Sequence, residues 1–388
     1  MPCLGVCIIL VRHMAKTRVV ILFGGKSGEH EVSIVSALSI QNALDKSKYD
    51  VTLVGIDKTG RWLLPDQSRL LTQRSNPRLI KLNEIKETVS LLPFPSDKNL
   101  VSVSADGASE SGGRKFDVVL PILHGTYGED GTVQGLLELA NLPYVGSGVL
   151  GSAVGMDKEM AKRVLRDAGI PVVPFITVRR SEFKARPQSF LDEAQRKFGY
   201  PYFVKPANMG SSVGVNKVKN DAEAMAKFED AFQYDTKLLV EQGIDARELE
   251  CSVLGNHEPE ASIVGEIIPR HEFYTYEAKY MDENGADLKI PSDITKAVSD
   301  RVRELAVATF KALELAGLAR VDFFLDRRDG KVYLNEVNTI PGFTPISMYP
   351  KLWEASGLSY SKLLDRLIEL AIERHTEKNG LKTSYEPK

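Results

Sequence analysis

The chain has 388 residues, 43% of them hydrophobic and 26% charged, with a formal net charge of −2. That length exceeds one ordinary core, so two or three domains are expected, and the near-neutral balance gives nucleic-acid binding no electrostatic basis. Three cysteines, Cys3, Cys7 and Cys251, cannot build a disulfide framework and fit a reducing cytoplasm.

Residues 4–11 are apolar but far shorter than a membrane span. They lack a basic n-region and a small-residue cleavage site, so neither a signal peptide nor a membrane partner is expected. Cys3, Cys7 and His13 lack the fourth ligand that a zinc site requires. Residues 1–16 read as a disordered tail.

Residues 18–23 (RVVILF) form an apolar run ended by Gly24-Gly25, the pattern of a buried parallel strand entering a loop. Helical spacing follows over 32–44, then strands over 50–56 and 116–123. This rhythm predicts an α/β first domain with a doubly wound parallel sheet. Residues 66–115, rich in Ser, Asn, Pro and Gly, read as a long irregular excursion. Residues 151–168 read as one helix stopped by Pro171 and Pro174. A compact α+β block follows: strands at 202–205, 215–218 and 237–241, with a helix over 221–232. Beyond Arg247 strands are expected at 248–254, 261–268, 319–325 and 332–338, with one long helix over 294–316. The expected division is 17–147, 148–242 and 243–388, with a lid at about 271–291.

Several short stretches carry chemistry. Glu336 and Asn338 are two apart on a strand and so project to one face, where a neighbouring strand can bring Asp322. Two carboxylates and an amide are hard oxygen donors suited to Mg²⁺, although solvated strand ends give the same trio. Arg320 shares the Asp322 face, as a fixed cation or as its salt-bridge partner. Residues 210–214 (GSSVG), after Lys205, can present backbone N–H groups and an ammonium to phosphates, or form an ordinary hairpin. Gly24-Gly25-Lys26-Ser27 is not a P-loop, because Val20 stands where that motif needs glycine. Glu29 and Glu31 then put acids at a helix start, either for capping or to hold a substrate ammonium. His124 opens HGTYGEDG at the carboxyl end of a strand, where open α/β sheets bind ligands. Residues 273–280 (FYTYEAKY) suit a lid that excludes water, or a plain surface loop.

The order of these stretches resembles the D-alanine–D-alanine ligases from about residue 18 to about 370. The resemblance rests on HGTYGEDGTVQG at 124–135 and LAGLARVDFFLD…YLNEVNTIPG at 315–342. It implies a three-domain ATP-grasp fold, two D-alanines and ATP as substrates, and two Mg²⁺ ions with Mn²⁺ as an alternative. It further implies a cytoplasmic homodimer serving peptidoglycan synthesis. Carried over, Lys158 and Lys205 contact the α- and β-phosphates, and Ser211 and Ser212 lie in the loop covering the nucleotide. Glu241, Gln242 and Ile244 line the adenine pocket, Phe273 packs on the base and Glu248 binds the ribose. Lys279 reaches the γ-phosphate, while Asp322, Glu336 and Asn338 hold the metal. Glu31 orients the first D-alanine, with His124 close by. Arg320 and the Gly342 backbone face the oxyanion, and Ser347 takes the second carboxylate. Tyr280, Glu31 and Ser211 form the lid latch. Gln242 departs from the lysine of many members, which puts a charged adenine contact in doubt. A D-alanine–D-lactate ligase is the nearest alternative; Tyr280, where that group carries His, favours the dipeptide. A dinucleotide-dependent oxidoreductase fails on glycine spacing, and a silent nucleotide-binding regulator would not need every competent residue in place.

Overall fold

A computed structural model describes residues 15–64, 87–97, 99–104, 107–270, 286–382 and 384–385. The described residues form three sheets, the first with apolar residues on both faces. The first has the order β6-β5-β4-β3-β2-β1-β7, built from β1 (Thr17–Gly24), β2 (Tyr49–Ile56), β3 (Trp62–Leu63), β4 (Thr88–Leu91), β5 (Leu100–Ser104), β6 (Gly107–Arg114) and β7 (Val118–Ile122). Among the described strands only β2, β1 and β7 pair in parallel, in keeping with their near-continuous apolar sequences. The remaining strands extend this sheet antiparallel. Part of the stretch expected to be irregular is therefore sheet: its Ser- and Gly-rich composition hides short strands that nevertheless bury Val89, Leu91, Leu100 and Val101.

The second sheet is antiparallel, order β10-β9-β11-β8, from β8 (Phe175–Arg179), β9 (Tyr202–Pro206), β10 (Asn216–Val218) and β11 (Lys237–Gln242). The third, also antiparallel, has the order β14-β13-β12-β15-β16, from β12 (Ala246–Gly255), β13 (Glu260–Pro269), β14 (Ala286–Lys289), β15 (Gly317–Asp326) and β16 (Val332–Asn338). The long helix that packs beneath it runs Lys296–Ala312, shorter at both ends than expected, with Thr295 capping its start.

Residues expected as one helix form two, Val149–Met156 and Lys158–Asp167. Asp157 between them takes an extended backbone, and its carboxylate accepts from the N–H groups of Glu159 and Met160, both at 3.1 Å. The apolar spacing continues across the break, so periodicity alone could not reveal the cap. Ala161 and Leu165 of the second helix pack into the core under β12 and β15, not into that of β8–β11. Another core joins β1, β2 and helix His30–Ala43 to the C-terminal helices Met348–Ala355 and Tyr360–Asn379. None of the described helices is long and apolar enough to cross a membrane.

Candidate active site

A cleft of about 370 Å³ opens where the three sheets meet. Strand alternation decides which side chains enter it. On β12 and β15, Leu249, Cys251, Val253, Ala319, Val321 and Phe323 face the helix Lys296–Ala312, so Glu248, Glu250, Arg320 and Asp322 face the cleft. On β16, Val332 and Leu334 are core residues, and unbroken alternation would bury Glu336 beside them. A bulge intervenes: Phe323 pairs with Leu334 but Asp322 with Glu336, so one extra residue turns Glu336 and Asn338 outward. The expected trio is thereby assembled, and Asn338 Nδ2 donates to Asp322 Oδ2 at 2.9 Å.

Arg320 donates to both Asp322 oxygens at 2.8 Å, and its Nε lies 3.0 Å from Glu250 Oε2. The salt-bridge alternative for Arg320 is therefore present, and the guanidinium is fixed at the cleft wall. Among the described residues no three His, Cys, Asp or Glu side chains gather as a metal cluster. Two carboxylates and an amide still fit Mg²⁺ bound with phosphate and water, the arrangement that ion prefers.

On the second sheet Tyr202, Val204, Leu238 and Val240 are core, so Phe203, Lys205 and Glu241 face the cleft. Lys205 Nζ lies 2.6 Å from Glu241 Oε2 and donates to Asn335 Oδ1 at 3.2 Å. Lys158 Nζ donates to the Met209 carbonyl at 2.7 Å and lies 3.6 Å from Glu336. Burial opposes the charge on Glu241, but Lys162 and Lys205 overcome it and hold the carboxyl below the ordinary range. Gln242, Ile244, Glu248, Gly342 and Ser347 also line the cleft. Ser347 Oγ accepts from the Thr344 backbone N–H at 3.0 Å.

The loop after β9 carries Ser211 and Ser212, both with positive φ (50° and 61°), a strained conformation for serine. Ser211 Oγ donates to Glu29, and the loop approaches so closely that a Cβ on Gly210 would lie 2.6 Å from Glu29 Oε2. This corrects the expectation for Glu31, which pairs with Lys58 at 2.7 Å and does not line the cleft. Two positions at a helix start point in widely different directions, and it is Glu29 that faces inward.

His124 is buried behind the cleft wall, with Nδ1 2.9 Å from the Ile340 carbonyl. Burial pushes its pKa down, against the pull of Glu29. Glu129, which sequence reasoning gave no role, as it gave none to Lys162 and Glu250, accepts from the Gly125 and Ile340 N–H groups at 2.8 Å. Burial and then Glu29 push its carboxyl up to about 7. Phe273, Lys279 and Tyr280, with most of the expected lid, lie outside the described residues.

Residues 18–147 match the family model for the D-ala D-ala ligase N-terminus, and 164–369 that for the D-ala D-ala ligase C-terminus. The chain is 53% identical over 371 residues to a D-alanine--D-alanine ligase of Shouchella clausii, covering 96% of this chain and 99% of that protein. Among solved structures it resembles the D-alanine-D-alanine ligase of Coxiella burnetii, with a TM-score of 0.79 and 41% identity over 95% of this chain and 97% of that one. A D-Ala:D-Ser ligase from Enterococcus faecalis gives a TM-score of 0.78 and 35% identity over 92% and 100% of the two chains.

Proposed function

Because the chain belongs to the D-alanine–D-alanine ligase family, with the ATP-grasp fold, we propose how its cleft performs the family's reaction. The protein is an ATP-dependent ligase that joins two D-alanines for peptidoglycan synthesis. In our reading ATP first phosphorylates the carboxylate of one D-alanine, because oxide cannot leave as such. The P–O bond to ADP breaks as the acyl phosphate forms. The deprotonated amine of the second D-alanine then attacks the acyl carbon, and phosphate departs with its bonding pair. The task is placement and charge neutralisation.

The family resemblance and the lining of the cleft together support the following roles. Lys158 and Lys205 take the phosphates, with Gln242 and Ile244 at the adenine and Glu248 at the ribose. Asp322, Glu336 and Asn338 would hold Mg²⁺, which supplies Lewis-acid neutralisation of the phosphate oxygens. Glu29 replaces Glu31 as the carboxylate for the first substrate's ammonium and as the partner of Ser211. Arg320 and the Gly342 N–H face the oxyanion, and Ser347 the second carboxylate. Lys279, Tyr280 and Phe273 keep their expected lid roles. The same reading includes a cytoplasmic homodimer, which light scattering of the purified chain tests.

The observation that carries this reading is the register shift bringing Glu336 opposite Asp322, beside Arg320 and within reach of Lys158. The decisive experiment is phosphate release from ATP and Mg²⁺ with D-alanine against L-alanine. Release dependent on D-alanine is expected, and its absence overturns the reading. Product analysis with D-serine and D-lactate as acceptors separates the dipeptide from the alternatives.

A further inference from the structure

Lys162 has no part in the chemistry described so far, yet it is among the largest fully buried side chains of the molecule. Lysine is almost never fully buried unless paired, and an uncompensated ammonium there would be strongly destabilising. Its Nζ lies 2.5 Å from Glu241 Oε1, while the other oxygen of that carboxylate, Oε2, lies 2.6 Å from Lys205 Nζ. Two ammoniums thus share one carboxylate, and the trio keeps one net positive charge at the floor of the cleft.

The placement follows from local structure. Lys158 and Lys162 are one helical turn apart and share a face. That helix is anchored by Ala161 and Leu165 in the core of the third sheet, whereas Glu241 and Lys205 belong to the second. The pair therefore crosses the junction between two packing units. A Lys205–Glu241 pair alone would be neutral and would turn the lysine away from an incoming anion.

We infer that Lys162 is a positioning residue for nucleotide binding: from beneath the cleft it engages one oxygen of Glu241, so that Lys205 retains surplus positive charge toward the phosphates. The inference rests on the nucleotide reading above. Burial pushes the Lys162 pKa down, with Glu241 opposing it; for Lys205 burial is outweighed, first by Glu241, and its pKa rises.

The test is a double-mutant cycle read as ADP–Mg²⁺ affinity by titration calorimetry, with steady-state KM and kcat. Lys162→Met in the wild-type background should weaken ADP binding and raise the ATP KM about tenfold, with kcat at saturation changed less than about threefold. In the Glu241→Gln background the same substitution should change ADP affinity less than about twofold, because there is no carboxylate left to share. Equal losses in both backgrounds, or none in the first, overturn the inference. Should Lys162→Met alone fail to fold, the Lys162→Met/Glu241→Gln chain, which leaves no unpaired buried carboxylate, is compared with Glu241→Gln; a tenfold loss there also overturns it. A wild-type chain that binds ADP but releases no phosphate with D-alanine would refute the ligase reading and leave this coupling standing.

Discussion

Glu29 and Glu31 stand two positions apart at the start of one helix, and only the first meets Ser211. Glu29→Gln should therefore reduce D-alanine-dependent phosphate release at least about a hundredfold, whereas Glu31→Gln should stay within about threefold. Comparable losses in the two variants would restore the earlier assignment. At Arg320, substitution by Ala should lower kcat by about a hundred- to a thousandfold while ADP affinity changes little, because the proposed oxyanion role concerns charge that develops only during reaction. Parallel losses in both would remove it from the oxyanion. Glu129 makes a pH prediction. Its folded pKa is raised from 4.5 to about 7, so the folded chain keeps a proton that the unfolded chain has lost. Stability from this group is intact below pH 4.5 and falls as pH rises toward 7, by on the order of 3 kcal/mol. Glu129→Gln should flatten that decline in melting curves between pH 5 and 8; superimposable slopes would contradict it.

How much of this was legible varies with what a residue type reveals. Asp322, Glu336 and Asn338 were readable because strand spacing and motif order agree. The bulge that turns two of them outward left no mark in the pattern. Nothing in a helix start says which of two glutamates faces inward, and Lys162 looks like any polar position of an amphipathic helix until the third dimension is known.

Among elements, the strongest periodicities were read correctly: the parallel strands, the helix after β1 and the long antiparallel pair β12–β15. Two failures have separate causes: β4 to β6 are short antiparallel strands in a Ser- and Gly-rich stretch, and the break at Asp157 interrupts no apolar spacing. That break sets Lys158, to which the proposal gives the phosphates, at the first position of a helix, where Lys237 also holds Asp157 at 2.5 Å and Glu159 at 2.9 Å. Asp157→Ala should cost about 1–2 kcal/mol through the cap alone. It should raise the ATP KM more than it lowers kcat, since Lys158 loses its anchor. A lowered melting midpoint with an unchanged KM would separate the cap from the site.

At the scale of the whole molecule, the N-terminal parallel strands and the C-terminal helices share one apolar core, in which Leu367 lies between the two. Leu367→Ala should destabilise by about 2–5 kcal/mol, the range for emptying a buried leucine site. Hydrogen exchange should then speed up in β1 and β15 together; acceleration confined to one of them would mean that the two bodies melt independently.

The strands β8 to β11 have an apolar core of their own, separate from that shared one. They meet the third sheet and the helix Lys158–Asp167 through polar contacts, such as Lys205 Nζ to Asn335 Oδ1 at 3.2 Å and Lys162 Nζ to Glu241 Oε1 at 2.5 Å. Parting that unit from the third sheet would break buried ion pairs such as Lys162–Glu241, whereas parting the N-terminal strands from the C-terminal helices would expose a shared apolar core.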